Sequence, residues 1–220
     1  GEAFPVGYTA KYRPNQAIFD IEKIETVLET GKINLDLYRP EDAEKNQLRL
    51  KVYNPHKPLN LSDVMPILQN MGLRAVSELP FEIKPEDCEN SIWIHDFLLE
   101  IPNIKDNIDI KDVKQNFERA FEKIWIGEVE DDGLNRLTLA ANLNWHEITI
   151  LRTYVRYLKQ IGYPFSRPYM ASALSENSKI ARSIVSLFKT LHDPQRQKTV
   201  ETESKKLTKT IHKQLEKDEK

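Results

Sequence analysis

The 220-residue chain carries 32 Lys plus Arg against 34 Asp plus Glu, a formal charge of −2. That balance excludes a strongly basic nucleic-acid domain, because no net positive field is present to displace counterions from phosphates. Only seven glycines occur, against about fifteen at the usual frequency of roughly 7%, which argues against Gly-rich phosphate loops, and no apolar run reaches the ~18 residues of a membrane span.

Residues 1–14 read as an extended segment anchored by Phe4, Tyr8 and Tyr12. Asn15 then caps a helix with Ile18, Ile21 and Leu28 on one face, and Gly31 stops it. Ile33, Leu35 and Leu37 alternate with polar neighbours, as do Leu48, Leu50 and Val52, so two half-buried strands follow. Their connection is too short for a crossover, which makes them an antiparallel pair. Ser62 opens a helix with Val64, Ile67, Leu68 and Met71 on its apolar face, and Gly72 closes it. A third strand spans about 73–83, kinked at Pro80, which offers no N–H. The fourth, 91–101, is apolar on both faces and therefore central and covered on two sides. The order α-β-β-α-β-β is a permuted ferredoxin-like plan, with helix 15–30 and strand 33–38 supplying the elements that normally come last. The expected sheet order is 33–38, 48–54, 91–101, 73–84, with helices 15–30 and 62–71 on one face.

After Pro102 the pattern turns helical. Asp109, Asp131 or Asp132, Asn144 with Glu147, and Ser166 each stand at a helix start. Asp193-Pro194 stops the last apolar helix, and the charged stretch from Arg196 keeps a thin seam at Val200, Leu207, Ile211 and Leu215. So polar a helix is expected to need a packing partner.

Reactive constellations are missing. No two glycines stand two apart, and there is no G-x-S-x-G, C-x-x-C or H-E-x-x-H. No catalytic, cofactor-binding or metal-binding residue is therefore expected. The lone Cys88 can form no internal disulfide and points, with the lack of a signal peptide, to a reducing, cytoplasmic setting. His95 and Asp96 are neighbours on one strand and point to opposite faces, so each is expected to meet a structural partner rather than form an acid–base pair. Glu128, Glu130, Asp131 and Asp132 are expected to complement a helix start rather than bind a cation. Arg152, Arg156 and Lys159, beside Tyr154 and Tyr157, are expected to sit at the cation-friendly end of a helix rather than line an anion groove.

Two long stretches carry a resemblance: "LRLKVYNPHKPLNLSDVMPILQNMGLRAVSELPF" with "SIWIHDFLLE", and "NFERAFEKIWIGEVEDDGLNRLTLAANLNWHEITILRTYVRYLKQIGYPFS". They are similar to the large bacterial NAD-dependent glutamate dehydrogenases, long polypeptides with regulatory and helical segments ahead of the dehydrogenase domain. The resemblance implies an internal regulatory fragment of an enzyme that oxidatively deaminates L-glutamate to 2-oxoglutarate with NAD, the NAD site lying elsewhere. It implies an α+β fold: an ACT-like four-stranded antiparallel sheet with two helices and an N-terminal extension over 1–104, an all-α domain over 105–195, and a charged helix or tail over 196–220. ACT modules commonly bind an amino acid where the first strand leads into its helix, often as side-by-side dimers. Here that corner is marked by Asn54, His56, Lys57 and Asp63, with Gly72 nearby, as the candidate effector-binding set. The implied partners are other domains of the parent enzyme, further copies in a homo-oligomer and an amino-acid effector, without nucleic acid or membrane. The rival reading is a pure scaffold that binds no ligand.

Overall fold

The computed structural model describes residues 3–85, 90–102, 108–193 and 200–218; Cys88, Pro194 and Arg196 lie outside them. The chain divides into two compact units, 1–131 and 132–220. The expected boundary at 104/105 and this division differ by one helix, Ile110–Trp125, which belongs to the first unit.

Unit one is an antiparallel sheet of β1 (Asn34–Tyr38), β2 (Gln47–Pro55), β3 (Arg74–Ile83) and β4 (Ile92–Glu100). The order β1-β2-β4-β3 is the one expected from the sequence. Its helices are α1 (Val6–Lys11), α2 (Pro14–Thr30), α3 (Leu61–Asn70) and α4 (Ile110–Trp125). Residues 6–11, expected to be extended, form a helical turn and a half instead. Both caps fall two residues earlier than expected, at Arg13 before Pro14 and at Asn60 before Leu61. Proline is favoured at the first helical position, which moves the start of α2 ahead of Asn15. Asp109 caps α4 as expected, accepting from Lys111 N at 3.0 Å.

The permutation holds for the strand but not for the helix. α2 packs on β1 and β2. Its buried Ile24 and Val27 cluster with Tyr8, Tyr12, Tyr53, Phe81, Ile83 and Ile94. Alternation along β2 places Tyr53 opposite Leu48, Leu50 and Val52. α3 packs on β3, and α4 packs on β1 and α3. Their buried Val64, Leu68, Phe117 and Phe121 lie outside the α2 cluster and cover the face of Leu50 and Val52. The two ferredoxin-like helices are thus α3 and α4, while α1 and α2 cover the opposite face. Periodicity finds a helix but not the sheet face it takes. On α2 the buried stripe is Asp20, Ile24 and Val27, not Ile18, Ile21 and Leu28, which are exposed. A stripe holding an aspartate cannot be recognised as an inner face from hydropathy alone.

The two sheet edges differ in how they are protected. Ile101 N donates to Asn46 O at 2.8 Å and His56 N to Ser91 O at 3.0 Å, which fixes the ladder parity. Odd residues of β4 therefore bond to β2 and even ones to β3. Leu35 and Leu37 of β1 then face outward, and side chains take them up. Lys23 Nζ donates to Leu35 O at 3.0 Å, and Glu118 accepts from Leu37 N at 2.8 Å. On β3 the outward positions are Glu78, Pro80 and Glu82 by the same parity. Pro80 offers no donor there, and Lys84 N is taken by Ala3 O at 3.2 Å. A proline and side-chain caps are common means of keeping an edge from pairing with another chain.

Unit two is helical: a 3-10 turn at Gly133–Arg136, then α5 (Leu137–Ala140), α6 (Trp145–Gln160), α7 (Arg167–Glu176), α8 (Ser178–His192) and α9 (Val200–Asp218). Its core gathers Leu134, Leu137, Ile148, Leu151, Met170 and Val185. Asn144 and Glu147 form the expected capping box, at 3.0 and 2.9 Å. The partner of α9 is α8. Leu207 and Ile211 are half-buried, whereas Leu215 is exposed and Gln214 takes its place beside Ser183 at 3.4 Å. Two half-buried side chains supply about 1–2 kcal/mol each. Leu207→Ala with Ile211→Ala is therefore expected to raise amide exchange across α9 at least about tenfold, leaving α6 protected; hydrogen exchange by mass spectrometry reads both.

Candidate functional site

The expected effector corner comes together only in part. Asn54, His56 and Lys57 lie at the end of β2 and in the loop to α3, and Asp63 is in the first turn of α3. Gly72 follows the other end of α3, about 15 Å away for ten residues of helix. The near residues already have local work. Buried Asn54 donates through Nδ2 to Lys57 O at 2.7 Å, and Asp63 accepts from Asn60 Nδ2 at 3.2 Å. His56 adopts φ 69°, and Gly72 turns the chain at φ 85° into β3.

The same loop is tied down from behind by His95. Its Nε2 accepts from Leu59 N at 2.9 Å, so Nδ1 carries the proton and donates to Glu78 at 2.6 Å. Burial holds the imidazole below its ordinary pKa, and Glu78 opposes this only in part. Asp96 points to the other face, where it accepts from Tyr12 OH and from Arg49 Nε at 2.9 Å, with Lys11 at 3.6 Å. His95 and Asp96 therefore serve separate structural contacts, as the alternation of the strand requires.

The densest chemistry in unit one lies between the sheet and α1–α2. Asp20 is fully buried and accepts from Tyr8 OH at 2.5 Å, Lys51 Nζ at 2.6 Å and Tyr53 OH at 2.7 Å. Lys51 Nζ also lies 4.1 Å from the Tyr12 ring centroid. Arg49 and Lys51 thus face Asp96 and Asp20, two cations against two carboxylates (Asp36 on β1 pairs outward with Lys114 of α4). Burial first, then the neighbouring carboxylates, push the phenols of Tyr8, Tyr12 and Tyr53 far above their usual pKa, so they stay protonated donors. A buried ion pair stabilises only when its remaining hydrogen-bonding capacity is filled, and the tyrosines fill it. Alternation with Leu48, Leu50 and Val52 makes β2 read as half-buried, which puts Arg49 and Lys51 on its solvated face. The missed signal was strand 91–101, whose two apolar faces require β2 beside it to be covered on both sides as well.

In unit two, Asp132 caps the 3-10 turn through Leu134 N at 3.0 Å and accepts from Arg152 Nε at 2.7 Å. Arg152 Nη2 also donates to Asn135 at 2.9 Å. Asp131, the last residue of unit one, accepts from Asn70 at 3.0 Å, and Glu128 pairs with Lys123. Lys159 Nζ donates to Tyr163 O and Phe165 O, both at 3.2 Å. The acidic run and the basic helix end are thus engaged in caps and ion pairs. Among the described residues no group of three or more His, Cys, Asp and Glu side chains is placed to hold a metal ion, and no helix is long and apolar enough to cross a membrane.

The neutral state of His95 sets a pH dependence. The unfolded histidine binds its proton near pH 6.5, the folded one only at lower pH, so stability is complete above about 6.5 and falls as pH drops below it. Urea midpoints are expected to fall between about pH 7.5 and 5.5, and His95→Gln is expected to remove most of that slope.

Three family models match consecutive segments. "Glutamate dehydrogenase, helical motif 2" covers residues 1–27, "ACT3 domain" covers 32–113 and "helical motif 3" covers 129–194. Among curated proteins, the chain is 38% identical over 193 residues to the NAD-specific glutamate dehydrogenase of Halomonas elongata, across 88% of this chain. It is 39% identical over 189 residues to that of Pseudomonas aeruginosa, and 32% identical over 197 residues to that of Mycobacterium tuberculosis, across 86% and 87% of this chain. The chain spans about 12% of the length of each of these relatives.

Proposed function

Because the chain belongs to the glutamate dehydrogenase family, with an ACT3 domain between helical motifs 2 and 3, we propose that it is a non-catalytic architectural and regulatory segment of a cytoplasmic NAD-dependent enzyme. The parent oxidatively deaminates L-glutamate to 2-oxoglutarate, with NAD bound and the chemistry done elsewhere in a homo-oligomeric assembly of longer polypeptides. One observation carries the architectural role. The buried ionisable side chains Asp20, Asp36, Lys51, His95 and Asp96 each bond to a neighbouring element.

The contacts already made at the β2–α3 corner favour a scaffold over an effector receptor. An amino acid entering the β2–α3 corner would have to displace the Asn54–Lys57 bond, and leaving the buried Asn54 amide unpaired costs about 1–3 kcal/mol. The purified chain, given L-glutamate and NAD, is expected to produce no NADH absorbance, and titration calorimetry with amino acids is expected to give no saturable heat. NADH formation would overturn the non-catalytic reading. Saturable binding lost in Asp63→Ala would replace the scaffold by the effector reading.

A further inference from the structure

Two exposed apolar surfaces of this chain match each other better than either matches itself. The outer stripe of α2 presents Ile18, Ile21 and Leu28, with Ile18 60% exposed, spaced over about 15 Å of helix. Its exposed rim is acidic, with Glu22, Glu25 and Glu29. The second surface is built where α6 ends and α7 begins. Tyr157, Ile161 and Tyr169 are 57%, 60% and 56% exposed, and Phe165 stacks on Tyr169 at 4.7 Å between ring centroids. Its rim is basic, with Lys159 and Arg167. Aromatic anchors beside basic side chains are the usual composition of an interface hot spot, and so large an apolar surface is seldom left to water.

Charge selects the partner. Two α2 stripes face to face would oppose glutamates, and two α6–α7 surfaces would oppose Lys159 and Arg167, whereas one of each brings opposite signs together. At the sheet, Lys23 and Glu118 cap the β1 edge, and Pro80 removes one donor from the β3 edge. We infer that the α2 stripe of one copy docks on the α6–α7 aromatic surface of a second copy. Made reciprocally the contact closes a two-fold dimer, and made head to tail it forms a ring or an open array. It deepens the homo-oligomer reading above and rests on it.

Sedimentation velocity of the purified chain over a concentration series tests this, with circular dichroism as the folding control. The expected result is concentration-dependent association weakened at least about tenfold by Ile21→Ser and by Tyr169→Ser. Glu25→Lys and Arg167→Glu should each weaken it by about fivefold, and a mixture of the two variants should associate more tightly than either alone. Association indifferent to all four substitutions would overturn the docking surfaces and leave the homo-oligomer reading standing. A chain that stays monomeric would overturn both for this segment. If the two surfaces were then protected from exchange only in the parent-length enzyme, their occupant would be another segment of that polypeptide.

Discussion

Everything in the first unit turns on a carboxylate that water cannot reach. Asp20 sits on the inner face of α2 with three donors around it, one from α1 and two from β2. A buried carboxylate left unpaired would cost several kcal/mol, and so would a buried Lys51. Each makes the other tolerable only in one arrangement, with α2 lying across β2 at a fixed rotation. A purely apolar stripe could roll by a residue or slide along the sheet; an ion pair with two tyrosine hydroxyls cannot. The same logic is repeated a few ångströms away by Asp96, Arg49 and Tyr12. The segment matched by helical motif 2 is in this way joined to the segment matched by the ACT3 domain through polar bonds rather than through apolar area alone.

That joint explains the shape of the permutation. The strand lost from the end of a ferredoxin-like plan is replaced by β1, which reaches the sheet from the N-terminal side. The second helix is not replaced at all: α4 occupies its ordinary place after β4, next to α3. α1 and α2 are additions that cover the face a bare ferredoxin-like sheet would leave open. With helices on both faces of the sheet and Lys23 and Glu118 bonded along the β1 edge, that edge has little backbone to offer a neighbour.

Strand order, the antiparallel pairing and most helix starts could be read from alternation, period and capping residues. Those signals are local, and the residues that carry them, Leu48 to Val52 or Asn144 with Glu147, sit beside their partners in the chain. The face taken by α2 could not be read, because its inner stripe contains Asp20, and an aspartate looks solvated until Lys51, thirty-one residues away, is placed opposite it. The role of α4 was hidden for the same reason: Glu118 caps Leu37 across eighty-one residues. At the candidate effector corner, the residues have the types that recognise amino acids, but composition cannot tell an amide awaiting a ligand from one already bonded to Lys57 O.

The direct test of this account is a double-mutant cycle on Asp20 and Lys51, read by urea unfolding at neutral pH. Asp20→Ala and Lys51→Ala are each expected to cost about 3–5 kcal/mol, because each leaves its partner buried and uncompensated. The double variant should cost well short of their sum, giving a coupling of at least about 1.5 kcal/mol. Single losses below about 1 kcal/mol that simply add would contradict the account: α2 would then be held to the sheet by its apolar residues, and the ion pair would be incidental.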